Sequence, residues 1–90
     1  IGTLLQTGEL ILEDVEDLNE IYRVQTGLFR NTENAERMAT QLRNMGYQVA
    51  IEVNNGLYAV KVGESDDLED AVKLEQELRR MGYDTLIVSR

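Results

Sequence analysis

The sequence predicts an α+β domain in the order β-α-β-β-α-β, a four-stranded antiparallel sheet with two helices on one face, and three observations predict it. The first is an internal repeat. Residues 22–54 and 58–90 are two copies of one unit in register at a constant offset of 36 residues, without a gap. Tyr22, Val24, Gly27, Ala35, Leu42, Arg43, Met45, Gly46, Tyr47 and Ile51 are answered by Tyr58, Val60, Gly63, Ala71, Leu78, Arg79, Met81, Gly82, Tyr83 and Ile87. The second observation is that each copy passes from period-two alternation to a helical apolar stripe and back to alternation. The third is Asn55-Gly56 between the copies, a strong short signal for a hairpin turn.

Each element has a local reason. In Tyr22 to Thr26, Tyr22, Val24 and Thr26 share one side and Arg23 and Gln25 the other, as a half-buried strand requires. Asn31 then stands where it can cap a helix near 32–45, and Asp67 stands at the matching place before a helix near 68–81. The helix stripes are Ala35, Met38, Ala39, Leu42 and Met45 in the first copy, and Ala71, Leu74, Leu78 and Met81 in the second. Both helices end at Met-Gly-Tyr, with Arg43, Arg79 and Arg80 beside the carbonyl end. Closing strands follow at Gln48 to Val53 and Asp84 to Ser89. Right-handed crossovers place the first strand of each copy in the centre of a ferredoxin-like sheet, as in RNP modules, and leave the second face open. Alternation assigns Arg23, Gln25, Gln48, Ala50, Glu52, Ala59, Lys61, Leu86 and Val88 to that open face. The copies share what builds the core, so function is expected where they differ, on a surface made of unequal halves.

Composition narrows the function classes. A domain of 90 residues buries only about 60–65% of its unfolded surface, which leaves room for a surface groove rather than a deep catalytic cavity. The net charge of −8 repels polyanions at long range and argues against nucleic acid and against an anionic membrane surface. With no cysteine and no histidine, thiolate metal sites, disulfides and the commonest general base are all missing. Ser65 and Ser89 have no histidine to activate them. The acidic runs 13–17 and 64–67 lack the spaced ligands of a calcium loop and read as a solvated linker and a helix-entry loop. No apolar run is long enough to span a bilayer, and the chain begins at Ile1, so a module cut from a longer protein is expected, not inserted in a membrane itself. No catalytic residue, metal or cofactor is expected.

The ordered series Tyr22-Arg23-Val24-Gln25-Thr26-Gly27-Leu28-Phe29, Asn34-Ala35-Glu36, Leu42, Gly46-Tyr47 and Tyr58-Ala59-Val60-Lys61-Val62-Gly63 resembles the SPOR (sporulation-related repeat) domain over residues 21–90. The resemblance implies a bacterial cell-envelope module, in the periplasm or cell wall, that binds peptidoglycan and prefers glycan strands stripped of stem peptides. It implies no activity of the module's own, though such modules are often fused to amidases and other wall hydrolases and direct them to the septum or the sporulating cell wall. Carried over residue by residue, it makes Gln25 the first candidate for sugar contact, because a side-chain amide donates and accepts at once. Thr26 and Leu28 fall where the family's short loop meets the groove. Phe29 matches the motif aromatic and equally suits closing the core. Arg23 and Lys61 offer charge to the lactyl carboxylates of a stripped glycan. Leu86 and Val88 stand where relatives carry a stacking aromatic. Copy two departs from the family's Val-Gly-Pro-Phe, and Val62-Gly63-Glu64-Ser65 suggests a more mobile and more acidic loop.

Two readings of other classes stay open at the level of sequence. An RNA-binding module has the same topology, yet it needs outward aromatics on the central strands, where Arg23, Gln25, Ala59 and Lys61 stand instead. A protein-interaction or dimerisation module would use residues 1–20, which lie outside the repeat. Ile1 to Leu12 can form a loose hairpin and Ile11 to Ile21 can form a short helix. Their apolar content is expected to pack on the module, on a preceding domain or on a second copy.

Overall fold

A computed structural model describes residues 20–89, so the expectations for residues 1–19 lie outside the described residues. The elements are β1 (Tyr22–Phe29), α1 (Thr32–Asn44), β2 (Val49–Asn54), β3 (Leu57–Ser65), α2 (Leu68–Arg80) and β4 (Leu86–Ser89). They form one four-stranded sheet in the order β2-β3-β1-β4, antiparallel at every junction, with the first strand of each copy in the centre. Both helices cover the same face. Ala35, Ala39 and Leu42 of α1 and Leu78 of α2 are fully buried in one core with Val24, Val60 and Val62 of the central strands.

The helix boundaries follow from side chains at their ends. Asn31 Oδ1 accepts from the amides of Glu33 (2.7 Å) and Asn34 (3.3 Å), and Asp67 Oδ1 accepts from the amide of Glu69 (3.0 Å). At the other end the Tyr47 amide donates to Leu42 O and the Gly46 amide to Arg43 O, a pair repeated by Tyr83 with Leu78 and Gly82 with Arg79. These are Schellman closures. They make Met45 and Met81 the caps rather than the last stripe residues, and both are exposed, at 49% and 44%. The hairpin between β2 and β3 turns through Asn55 (φ 55°) and Gly56 (φ 79°), both left-handed as a type I′ turn needs. Along the helix faces, Glu75 and Arg79 meet at 3.3 Å, and Arg37 donates to Asn34 Oδ1 at 3.2 Å.

The strands depart from the sequence reading in the centre of the sheet. Pairing of β1 with β3 runs Tyr22 with Ser65, then Val24 with Val62, then Gln25 with Lys61, then Gly27 with Val60. Each central strand therefore carries one extra residue, near Gly63 in β3 and at Thr26 in β1. These are β-bulges at equivalent places of the repeat, Thr26-Gly27 and Val62-Gly63. The bulge in β3 uses Gly63 in the left-handed region (φ 74°), with its amide donating to Gln48 O at 2.8 Å. Because the chain bulges instead of leaving the sheet, β1 runs on to Phe29 and β3 to Ser65. Both segments had been expected as loops. At the sheet's edges, β2 begins at Val49 and β4 at Leu86, so Gln48, Asp84 and Thr85 lie in the connections.

Two substitutions test this packing. Leu42→Ala is expected to lower unfolding free energy in urea by about 2–5 kcal/mol through lost buried volume. Gly63→Ala is expected to cost about 1–3 kcal/mol for a left-handed non-glycine residue, since an added Cβ would also lie 2.5 Å from Leu74 Cδ2.

Candidate functional site

The two bulges decide which side chains reach the open face. Strict alternation from Val24 would turn Leu28 toward the helices, and strict alternation from Val60 would do the same to Glu64. Each extra residue reverses that. Leu28 pairs with Ala59 and stands exposed, while Glu64 reaches Arg23 across the sheet at 3.2 Å. Leu28 and Glu64 are equivalent positions of the repeat, delivered to the same surface by equivalent bulges.

A single row then crosses all four strands: Ala50, Lys61, Gln25 and Leu86, paired in that order. Gln25 and Lys61 are repeat equivalents that face each other at the centre, and Ala50 and Leu86 are repeat equivalents at the two edges. On one side of the row lie Glu52, Ala59 and Leu28; on the other lie Arg23 and Val88. A shallow concavity of ≈ 240 Å³ opens over Gln25, Lys61, Ala59, Glu52 and Leu28 and ends at Asn54, Asn55 and Leu57 of the hairpin. A second of ≈ 210 Å³ lies across β1, between Gln25, Leu28 and the chain at Asp84, Thr85 and Leu86. Gln25 and Leu28 border both, forming the ridge between them. Each volume is below the roughly 300–1,000 Å³ of a site that encloses a drug-sized ligand, so the face offers shallow surface contact rather than an enclosing pocket.

The charges on this face are already paired. Lys61 Nζ lies 2.7 Å from Glu52 Oε1, Arg23 Nη1 lies 3.7 Å from Glu52 Oε2, and Arg23 Nη2 lies 3.2 Å from Glu64 Oε2. The cations are the less exposed partners, with side chains at 19% for Arg23 and 18% for Lys61 against 48% for Glu52 and 42% for Glu64. The face is therefore locally close to neutral on a protein of net charge −8. Elsewhere, partial burial and then the neighbouring Glu77 carboxylate raise the Tyr47 phenol above its ordinary pKa. That group lies away from the open face. Among the described residues no group of three or more His, Cys, Asp or Glu side chains is placed to hold a metal ion.

Of the eight side chains expected to contact sugar, the structure brings Arg23, Gln25, Leu28, Lys61, Leu86 and Val88 to the open face. Phe29 goes elsewhere, and Thr26 borders only the second concavity. Thr26 is the extra residue of the β1 bulge, 3% exposed, and its hydroxyl turns to Met38 Sδ at 3.4 Å. Phe29 packs against the core, its ring folded back over Gly27, where a Cβ would come within 2.6 Å of it. Gln48, assigned to the open face by alternation, precedes β2, and its carbonyl accepts from the Gly63 amide of the bulge. Residues not foreseen as part of the site are Glu64, Asn54 and Leu57. The first was legible in principle, because Gly63 repeats Gly27 and a glycine inside an alternating segment is a bulge signal.

The family model for the SPOR domain matches residues 18–89. The chain belongs to the SPOR domain family. Among solved structures it is similar to the solution structure of the peptidoglycan-binding domain of the B. subtilis cell wall lytic enzyme CwlC, at 25% identity and a TM-score of 0.73, over 80% of this chain and 91% of that one. It also shares its fold with the Spor protein DedD, at 21% identity and a TM-score of 0.64, over 78% of this chain and 39% of that one. No curated protein matches the chain significantly. The β-α-β-β-α-β order with a four-stranded antiparallel sheet and two helices is thus the fold of these neighbours, and in this SPOR domain the open face carries Arg23, Lys61, Glu52 and Glu64.

Because the ion pairs lie on an open surface, they are expected to add little to stability. Lys61→Gln should change the unfolding free energy by about 1 kcal/mol or less, and thermal unfolding at low and high salt measures this.

Proposed function

We propose that this SPOR domain is a non-catalytic module that binds the glycan strands of peptidoglycan, preferring strands stripped of stem peptides. In that role it holds a larger envelope protein, such as a wall hydrolase of the N-acetylmuramoyl-L-alanine amidase type, at septal or sporulation cell wall. Its place of action is then the bacterial envelope, in the periplasm or at the cell wall, with peptidoglycan as the partner and no nucleic acid. Family membership and the likeness to the peptidoglycan-binding domain of CwlC support this reading.

The single observation that carries it is the placement of Gln25. Its side chain stands at the centre of a row spanning the sheet and borders both concavities. One amide there can donate to a sugar hydroxyl and accept from an N-acetyl N–H on either side of β1. Leu28 and Leu86, both exposed beside it, offer apolar surface to the less polar faces of the rings. Recognition by neutral donors and acceptors also fits a protein whose overall charge is unsuited to polyanions. With no tryptophan in the chain to stack on a ring, affinity per sugar is expected to be modest.

The test is sedimentation with purified sacculi before and after amidase treatment. Binding to amidase-treated sacculi should persist at moderate salt, where contacts to a phosphate backbone would weaken steeply. Gln25→Ala should leave the thermal midpoint nearly unchanged and weaken glycan binding by about 1 kcal/mol or more. Unchanged binding by that variant, or a preference of the parent for RNA over treated sacculi, overturns the proposal.

A further inference from the structure

Glycan binding as proposed above leaves a question of charge at the same site. A stripped strand carries one lactyl carboxylate per muramic residue, and the cations that would meet it, Lys61 and Arg23, are both held by Glu52. Glu52 borders the concavity with Gln25 and Lys61, so it occupies the place a ligand carboxylate would take. Glu64 holds only the far side of Arg23 and does not border that concavity. We propose that Glu52 is a specificity-determining residue, which sets how strongly the site distinguishes carboxylate-bearing sugars from neutral ones by requiring an incoming carboxylate to exchange with it.

The exchange has a defined balance. A ligand carboxylate approaching Lys61 replaces one ion pair with another, and Glu52, the more exposed partner, swings into solvent. Glu52 gives up its contacts with Lys61 and Arg23 while the ligand carboxylate takes over the one with Lys61 and Glu64 keeps Arg23, so a carboxylate on the ligand brings little net gain and little salt dependence. A neutral N-acetylated sugar meets the same Gln25 amide and leaves the Glu52–Lys61 pair closed. Strands with and without lactyl groups should then bind this domain with similar strength.

The experiment compares two probes on the parent and on Glu52→Gln, a variant that keeps side-chain shape at an exposed position. The neutral probe is β-1,4-linked chitotetraose, and the anionic probe is the tetrasaccharide of alternating N-acetylglucosamine and N-acetylmuramic acid with free lactyl carboxylates. The parent is expected to bind both with similar affinity and little response to salt. Glu52→Gln is expected to bind the anionic probe about two- to fivefold more tightly at low salt, the range of a surface ion pair, with the gain lost at high salt and any change for chitotetraose smaller and independent of salt. Equal weakening for both probes overturns the inference, because Glu52 would then contact sugar itself. No change with either probe overturns it as well. A parent domain that binds neither probe nor amidase-treated sacculi defeats the glycan reading, and the exchange with it, whereas a change confined to the variant's charge preference bears on Glu52 alone.

Discussion

The paired bulges in the two central strands are the constraint on which the rest of this domain depends. A strand without them would keep one alternation from end to end, and the surface would be sorted differently beyond Gln25 and beyond Val62. Leu28 and Glu64 would face the helices, where an acidic side chain has no partner among Val24, Val60 and Leu78. The extra residue in each strand turns both outward and sends Phe29 and Ser65 to the helix side. Ser65 there accepts from the Asp67 amide at 3.0 Å, joining the loop that starts α2. One backbone device thus sets the extent of the core, the composition of the open face and the entry to a helix.

Duplication explains why the device occurs twice. A two-copy fold places equivalent strands side by side, so a bulge in one copy must be matched in the other for the register between them to recover. The pairing of Tyr22 with Ser65 and of Phe29 with Tyr58 on either side of the two bulges is that recovery. The core has remained nearly symmetric, with Val24 answered by Val60 and Leu42 by Leu78. The face has not. Its central pair is an amide against an ammonium, Gln25 and Lys61, and the positions that follow the bulges hold a leucine and a glutamate, Leu28 and Glu64. Surface positions carry little of the folding free energy, so they were free to diverge while the buried positions were held.

What could be read in the sequence was local or periodic. The caps at Asn31 and Asp67, the Asn55-Gly56 turn and the helix stripes each depend on a few neighbours, and each is found where expected except the last stripe residues, Met45 and Met81, which are exposed caps. The strand order followed from the repeat together with the hairpin. Alternation, however, counts residues and cannot register one that is added. Leu28 therefore reached the open face as the end of a strand rather than as part of a loop, and Thr26, assigned to sugar contact, became the buried residue of the bulge. Side-chain pairing was illegible for a related reason. Arg23 with Glu64 and Lys61 with Glu52 are 41 and 9 residues apart, joined by a register that only the folded sheet sets.

The neutral open face and the net charge of −8 act at different ranges, and the difference bears on how such a surface would meet a wall polymer. At long range the protein repels acidic polymers and nothing on the open face offsets that, because Arg23 and Lys61 are matched by Glu52 and Glu64. At contact range the proposed glycan reading leaves hydrogen bonding to Gln25 and apolar contact to Leu28 and Leu86 over shallow concavities. Such contacts are weak singly, and a surface of this depth cannot enclose a ligand to strengthen them. A polymer compensates by offering the same unit many times, so that a released module finds another site before it diffuses away. On the function proposed above, a shallow, neutral, hydrogen-bonding face would keep the module near an insoluble glycan while letting it move along the strand, whereas a deep charged pocket would fix it at one sugar.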